Sequence, residues 1–69
     1  MYKLFDIKTK YGIGEIVYLI TEENQQKFII TGIIIRTDGV MYELSGGRDI
    51  SFHSAIEISR QRTNDHLYN

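Results

Sequence analysis

Residues 28–44 read Phe-Ile-Ile-Thr-Gly-Ile-Ile-Ile-Arg-Thr-Asp-Gly-Val-Met-Tyr-Glu-Leu, and this stretch decides the fold. Two runs of β-branched and aromatic residues flank Asp38-Gly39, the two-residue signature of a type I′ hairpin turn, in which both central residues need φ > 0. Centring the turn there sets Thr37 opposite Val40, Ile35 opposite Tyr42 and Ile33 opposite Leu44, an apolar face throughout. The other face pairs Arg36 with Met41 and Ile34 with Glu43. Gly32 interrupts the first run, where a glycine weakens a strand unless it marks a bulge or bend. A bulge flips side-chain parity, so Ile30 joins Ile33 and Ile35 on the core face.

Working outward, Gly12 and Gly14 form a turn, and Glu15–Thr21 (EIVYLIT) reads as a strand because no helix former follows Glu15. Glu22–Lys27 is a polar loop with room for one helical turn capped by Thr21. On the other side, Ser45-Gly46-Gly47-Arg48 is a second glycine turn leading into a strand over Asp49–His53. Ser54–Ser59 carries two signals: Ile56 and Ile58 alternate as in a half-buried strand, while Ser54 and Glu57 fit the S-x-x-E capping box. One helical turn before a short final strand reconciles them. Residues 1–10 alternate irregularly and fit either a short strand or an extended arm pinned by Leu4 and Ile7. Residues 59–69 are polar and aperiodic and are expected to fray, since ordering costs roughly 1.5 kcal/mol per residue with little apolar area to offset it.

Composition agrees. The chain has 69 residues, with 12 Ile and 2 Val against 4 Leu and 1 Ala; Ile and Val lose χ1 freedom in helices and little in strands. At 42% hydrophobic and net charge −1 it lies outside the disordered regime. That near-neutral charge argues against nucleic acid or anionic lipid held by bulk electrostatics. The chain has no cysteine, so neither a disulfide framework nor a thiolate zinc site is available. No apolar run reaches the roughly 20 residues that span a bilayer, and no signal-peptide core is present. The expectation is one small cytoplasmic domain over 1–59, with 1–13 as an N-terminal arm and 60–69 as a flexible tail.

About five short antiparallel strands joined by tight turns, the second long and bent at a glycine, predict an all-β fold that closes or nearly closes on itself to protect its edges. A small SH3-like barrel fits. Gly14-Glu15-Ile16-Val17 resembles the opening of Tudor-like and KOW-like barrels, and the turn around Ser54–Glu57 is similar to the helical turn before their last strand. Gly14–Ser59 also resembles small uncharacterised proteins of bacterial mobile elements, through Gly14-Glu15-Ile16-Val17-Tyr18-Leu19, Ile30-Thr31-Gly32-Ile33 and Glu57-Ile58-Ser59. These motifs are structural glycines and core positions, so the resemblance implies a fold and no active site.

The chemistry-bearing residues are few. His53 needs two or three more ligands for a metal site, and Asp49 and Glu57 stand at no recognised ligand spacing; His66 lies in the tail. Gly12-Ile13-Gly14 precedes a strand and lacks the third glycine of a dinucleotide fingerprint. Ser45–Arg48 has the makings of a small anion nest, although a hairpin turn already accounts for its glycines. Ser51 and His53 share a strand face, but no third group is evident to complete a nucleophile and base. Neither an enzyme nor a cofactor is expected. An aromatic cage for methylated lysine needs three aromatics at one rim, which sequence does not place.

Two binding readings are left. Ile16, Tyr18, Phe28, Ile34 and Met41 fall out of phase with Val17, Leu19, Ile30, Ile33, Ile35, Val40, Tyr42 and Leu44, a surplus of apolar residues on outward positions. Contiguous apolar surface marks an interface, so a non-enzymatic protein-binding module, with a protein partner or a second copy of itself, is the leading expectation. A covering arm through Leu4, Phe5 and Ile7 is the bland alternative. The other binding reading is an accessory nucleic-acid binder that stacks bases on aromatics beside basic residues, using Lys27, Arg36, Arg48 and Phe52; interspersed Glu15, Glu22, Glu23 and Glu43 weigh against it.

Overall fold

The computed structural model describes residues 8–62. Five antiparallel strands, β1 (Ile16–Leu19), β2 (Phe28–Arg36), β3 (Gly39–Gly46), β4 (Asp49–Ser54) and β5 (Ile58–Ser59), form one sheet in the order β4-β3-β2-β1-β5. A 3-10 turn over Ala55–Glu57 precedes β5. The fold is therefore all-β, with a single short helical turn where the S-x-x-E signal places it. Glu57 supplies the acidic half of that capping box by accepting the Ser54 N–H at 3.3 Å. Among the described residues the sheet is open, with β4 and β5 as its two edges.

The bulge forms where the sequence requires it. Ile30 pairs with Leu44 and Gly32 with Glu43, so Thr31 is the extra residue. This parity change puts Phe28 and Ile30 before the bulge and Ile33 after it on the same inner face. Gly32 sits against Glu43, whose Oε1 would lie 2.7 Å and whose Cβ 3.3 Å from a Cβ at that position.

The hairpin turn lies one residue earlier than expected. Arg36 pairs with Gly39, making Thr37 and Asp38 the loop. Neither residue has positive φ, whereas Gly39 has φ +147°, so the turn is not type I′. Two ordinary central residues are followed by a glycine that takes up the unusual dihedral on re-entering the strand, matching the preference of type I turns for glycine at the fourth position. Ile35 then faces Val40, Ile34 faces Met41 and Ile33 faces Tyr42. Each partner differs by two positions from the expected pairing. A shift of two keeps every side chain on its face, and the apolar division of the hairpin is preserved.

Val17, Leu19, Phe28, Ile30, Tyr42, Leu44 and Ile58 form the core together with Tyr11. Tyr11 anchors the segment before β1: its ring meets Tyr42 edge-on at 5.5 Å between centroids, and its hydroxyl donates to the Ile58 carbonyl at 3.0 Å. The Tyr42 hydroxyl in turn accepts the backbone N–H groups of Lys10 (2.9 Å) and Tyr11 (3.3 Å). Past β5, Arg60 donates to Glu15 at 2.7 Å and to the Lys10 carbonyl at 2.7 Å, with its guanidinium 4.6 Å from the Tyr11 ring centre. The chain is thus held beyond Ser59, one step into the stretch expected to fray. In the Glu22–Lys27 loop no helical turn forms; buried Gln25, at φ 47°, donates to the Leu19 and Ile20 carbonyls instead.

Candidate protein-binding face

Cross-strand partners lie on the same face of an antiparallel sheet, so the ladders define the outer surface row by row. Ile16 pairs with Ile29, Ile29 with Ser45 and Ser45 with Ile50, one row across four strands. The next row runs from Gly32 through Glu43 to Phe52, and the third from Ile34 through Met41 to Ser54. Ile16, Ile29, Ile34, Ile50 and Phe52 are all exposed, Ile50 at 60% and Phe52 at 50%. Met41 is half-buried. Only Glu43 brings a charge to the middle of this surface.

Of the five residues expected on this face, Ile16, Ile34 and Met41 lie on it. Tyr18 has the same parity but is half-buried, with the Arg62 guanidinium 5.3 Å from its ring centre. Phe28 does not belong to the face. It is 5% exposed and pairs with Val17 in the core, because Phe28 and Ile30 are two apart and the strand is regular between them. Ile29 and Ile50, absent from the expected set, are central to the row; their place follows only from knowing which strands are neighbours. Leu4, Phe5 and Ile7, the proposed covering arm, lie outside the described residues, as does His66.

The nucleic-acid candidates are not gathered into one patch. Arg36 flanks the β2–β3 turn and Arg48 lies in the β3–β4 turn, at opposite ends of β3. Exposed Lys27 shares the Arg48 end, and Phe52 stands between, paired with the carboxylate-bearing Glu43. The arrangement offers an aromatic ring beside an acid rather than beside its cations.

The inner side of β4 holds a chain of hydrogen bonds that sequence reading missed. His53 Nε2 is 2.8 Å from Ser51 Oγ, and His53 Nδ1 is 3.0 Å from Glu57 Oε1. Glu57 is the third group that seemed lacking; it is four residues from His53, and only the 3-10 turn folds it back. The order hydroxyl, imidazole, carboxylate matches a nucleophile with its base and orienting acid. The same Glu57 oxygen also holds the Ser54 N–H, so the set braces the junction of β4 and the turn. A surface depression is lined by Arg36, Asp38, Gly39, Val40, Met41 and Ser54, without Ser51, His53 or Glu57. Among the described residues no group of three or more His, Cys, Asp or Glu is arranged to hold a metal ion, and no helix is long and apolar enough to cross a membrane. No family model, curated protein or solved structure matches this chain.

Proposed function

We propose that the chain is a small, non-enzymatic, cytoplasmic binding module that contacts another protein chain through the outer face of its sheet. One observation carries the reading: the row Ile16–Ile29–Ser45–Ile50, the flanking Phe52 and, beyond Glu43, Ile34 and Met41 gather apolar side chains on one face across four strands. Surfaces of this kind mark interaction sites. Covering one Ile or Phe is worth about 1.5–3 kcal/mol, so a few such side chains sustain an association. We place the proposed adaptor role in a bacterial or mobile-element setting on the resemblance of Gly14–Ser59 to small uncharacterised proteins of such elements.

Affinity capture from the native cells with the parent, Ile29→Asp, Phe52→Asp and Arg48→Ala tests this reading. A partner held by the parent and Arg48→Ala, and lost by both face variants while their circular dichroism stays native, is the expected result. A partner that persists with both face variants overturns it. In a parallel titration, no DNA should bind more tightly than about 10⁻⁴ M at physiological salt, the weak end of non-specific binding. Micromolar binding that weakens with salt and is lost in Arg36→Glu or Arg48→Glu would replace this reading with the nucleic-acid one.

A further inference from the structure

The outer apolar row ends at β4, and among the described residues β4 is an open edge. Native edges are protected by lysine, proline, bulges or shortness. β4 has six residues, Asp-Ile-Ser-Phe-His-Ser, with neither lysine nor proline, and its register with β3 is unbroken from Gly46–Asp49 to Met41–Ser54. Gly46 and Asp49 close a two-residue turn, so they form a hydrogen-bonded pair, and the alternation of an antiparallel ladder makes Ser51 and His53 the next residues bonded to β3. The N–H and C=O groups of Ile50, Phe52 and Ser54 therefore point away from the sheet. One of them is already used: the Ser54 N–H is held by Glu57. What remains for a new strand is Ile50 and Phe52, and both side chains lie exposed on the outer face.

We infer that this edge pairs with β4 of a second copy of the chain, antiparallel about a two-fold axis through Ser51. The inference goes beyond the protein-binding reading: the edge contact leaves the outer face uncovered and available to the partner of that reading. Pairing Ile50 of one copy with Phe52 of the other engages both free residues on each side and needs nothing from Ser54. Sliding to Phe52 opposite Phe52 would require the Ser54 N–H that Glu57 holds. Sliding the other way, to Ile50 opposite Ile50, would leave Phe52 facing charged Arg48. In the two-fold register about Ser51, the residue against each apolar side chain is apolar, and Asp49 of one copy stands opposite His53 of the other. The segment Asp49–His53 is its own complement. The two outer faces join into one sheet surface with Ile16, Ile29 and Ile50 repeated across the axis, an isologous contact that closes at two copies.

The native chain has no cysteine, which makes the register testable by cross-linking. Ser51 bonds toward β3, so across the new ladder it faces its own copy in a non-hydrogen-bonded pair, with Cα atoms about 4.5 Å apart, inside disulfide range. Ile50 faces Phe52 and lies beyond that range from Ile50 of the other copy. The experiment is sedimentation equilibrium of the full chain, together with mild air oxidation of Ser51→Cys and Ile50→Cys. A parent dimer, and covalent dimer from Ser51→Cys forming at least tenfold faster than from Ile50→Cys, are expected. A parent that stays monomeric at every concentration overturns the inference and leaves the protein-binding reading to its capture experiment. A parent that dimerises while the two cysteine variants oxidise equally slowly also overturns it; if Ile29→Asp then abolishes the dimer, the outer face rather than the edge is the contact.

Discussion

The Phe28 ring fills the space beside Gly46: a Cβ built on that glycine would stand 2.6 Å from both Cδ1 and Cε1 of the ring. Phe28 is a core residue, 5% exposed, and Gly46 is buried at the end of β3, so the ring has no solvent space to move into. Gln26 Nε2 would stand 2.7 Å from the same point. Gly46→Ala should therefore destabilise the domain by about 1–3 kcal/mol, the usual cost of overpacking. Gly12→Ala is the matched control, since its nearest contact would be an ordinary 3.7 Å to Glu15. Urea midpoints that fall equally for both variants would show that the Phe28–Gly46 contact has no special role.

The β2–β3 turn separates two neighbouring residues by their backbone. Gly39 takes φ +147°, whereas Asp38 has no positive φ. Gly39→Val should cost at least about 1 kcal/mol because a β-branched residue is strained there. Asp38→Ala should stay within about 0.5 kcal/mol, as for an exposed site without special geometry. If the turn were centred on Asp38-Gly39, Asp38→Ala would also place alanine at positive φ and would cost comparably. Thermal melts of the two variants distinguish these geometries.

That turn shows what sequence patterns resolve. Alternation and the mid-strand glycine located the strands, the bulge and the burial of Ile30, because each is a property of a few adjacent residues. The loop position depends on which φ each turn residue adopts, and Asp-Gly is compatible with two placements that leave the same faces apolar. The remaining differences come from partners far along the chain. Tyr11 is a core residue because Tyr42 and Ile58, 31 and 47 positions away, receive it. Ile29 and Ile50 share a row only because Ser45 lies between them. The outer face was legible as a surplus of apolar residues, but its membership required the order of the strands.

Tyr42 is the joint between the segment before β1 and the sheet. Its hydroxyl accepts two backbone N–H groups, from Lys10 and Tyr11, and the residue is 1% exposed. Tyr42→Phe keeps the ring and its edge contact with Tyr11 but leaves two donors without that acceptor, one of them on buried Tyr11. A cost of about 1–3 kcal/mol follows for the unsatisfied donor. Tyr11→Phe loses one bond, to the Ile58 carbonyl, and should cost about 1 kcal/mol. Hydrogen exchange gives the more specific readout: in Tyr42→Phe the amides of Lys10 and Tyr11 should exchange far faster while those of β3 stay protected. Unchanged protection at both amides would mean that the segment is held by other contacts.

Glu15 and Arg60 fasten the two ends of the described chain to each other. The hydrogen bond from Arg60 holds the Glu15 carboxyl below its ordinary value, the Gly12 N–H lowers it further, and partial desolvation opposes both. Arg60 is raised in return, chiefly by the same hydrogen bond. For a carboxyl depressed in the folded state, the stabilisation is complete above the unfolded value of 4.5 and is lost as pH falls through the lower folded value, because protonation then favours the unfolded chain. The pair is exposed, so salt screens its charge and its effect on stability is small. Glu15→Gln should leave the melting temperature only slightly lower at neutral pH. It should also flatten its decline below pH 4.5, so that parent and variant converge in strong acid. Arg60→Gln should flatten the same limb by returning Glu15 toward its ordinary value. Melting curves that stay parallel from neutral pH to strong acid, for parent and both variants, would show that Glu15 titrates alike in the folded and unfolded chain.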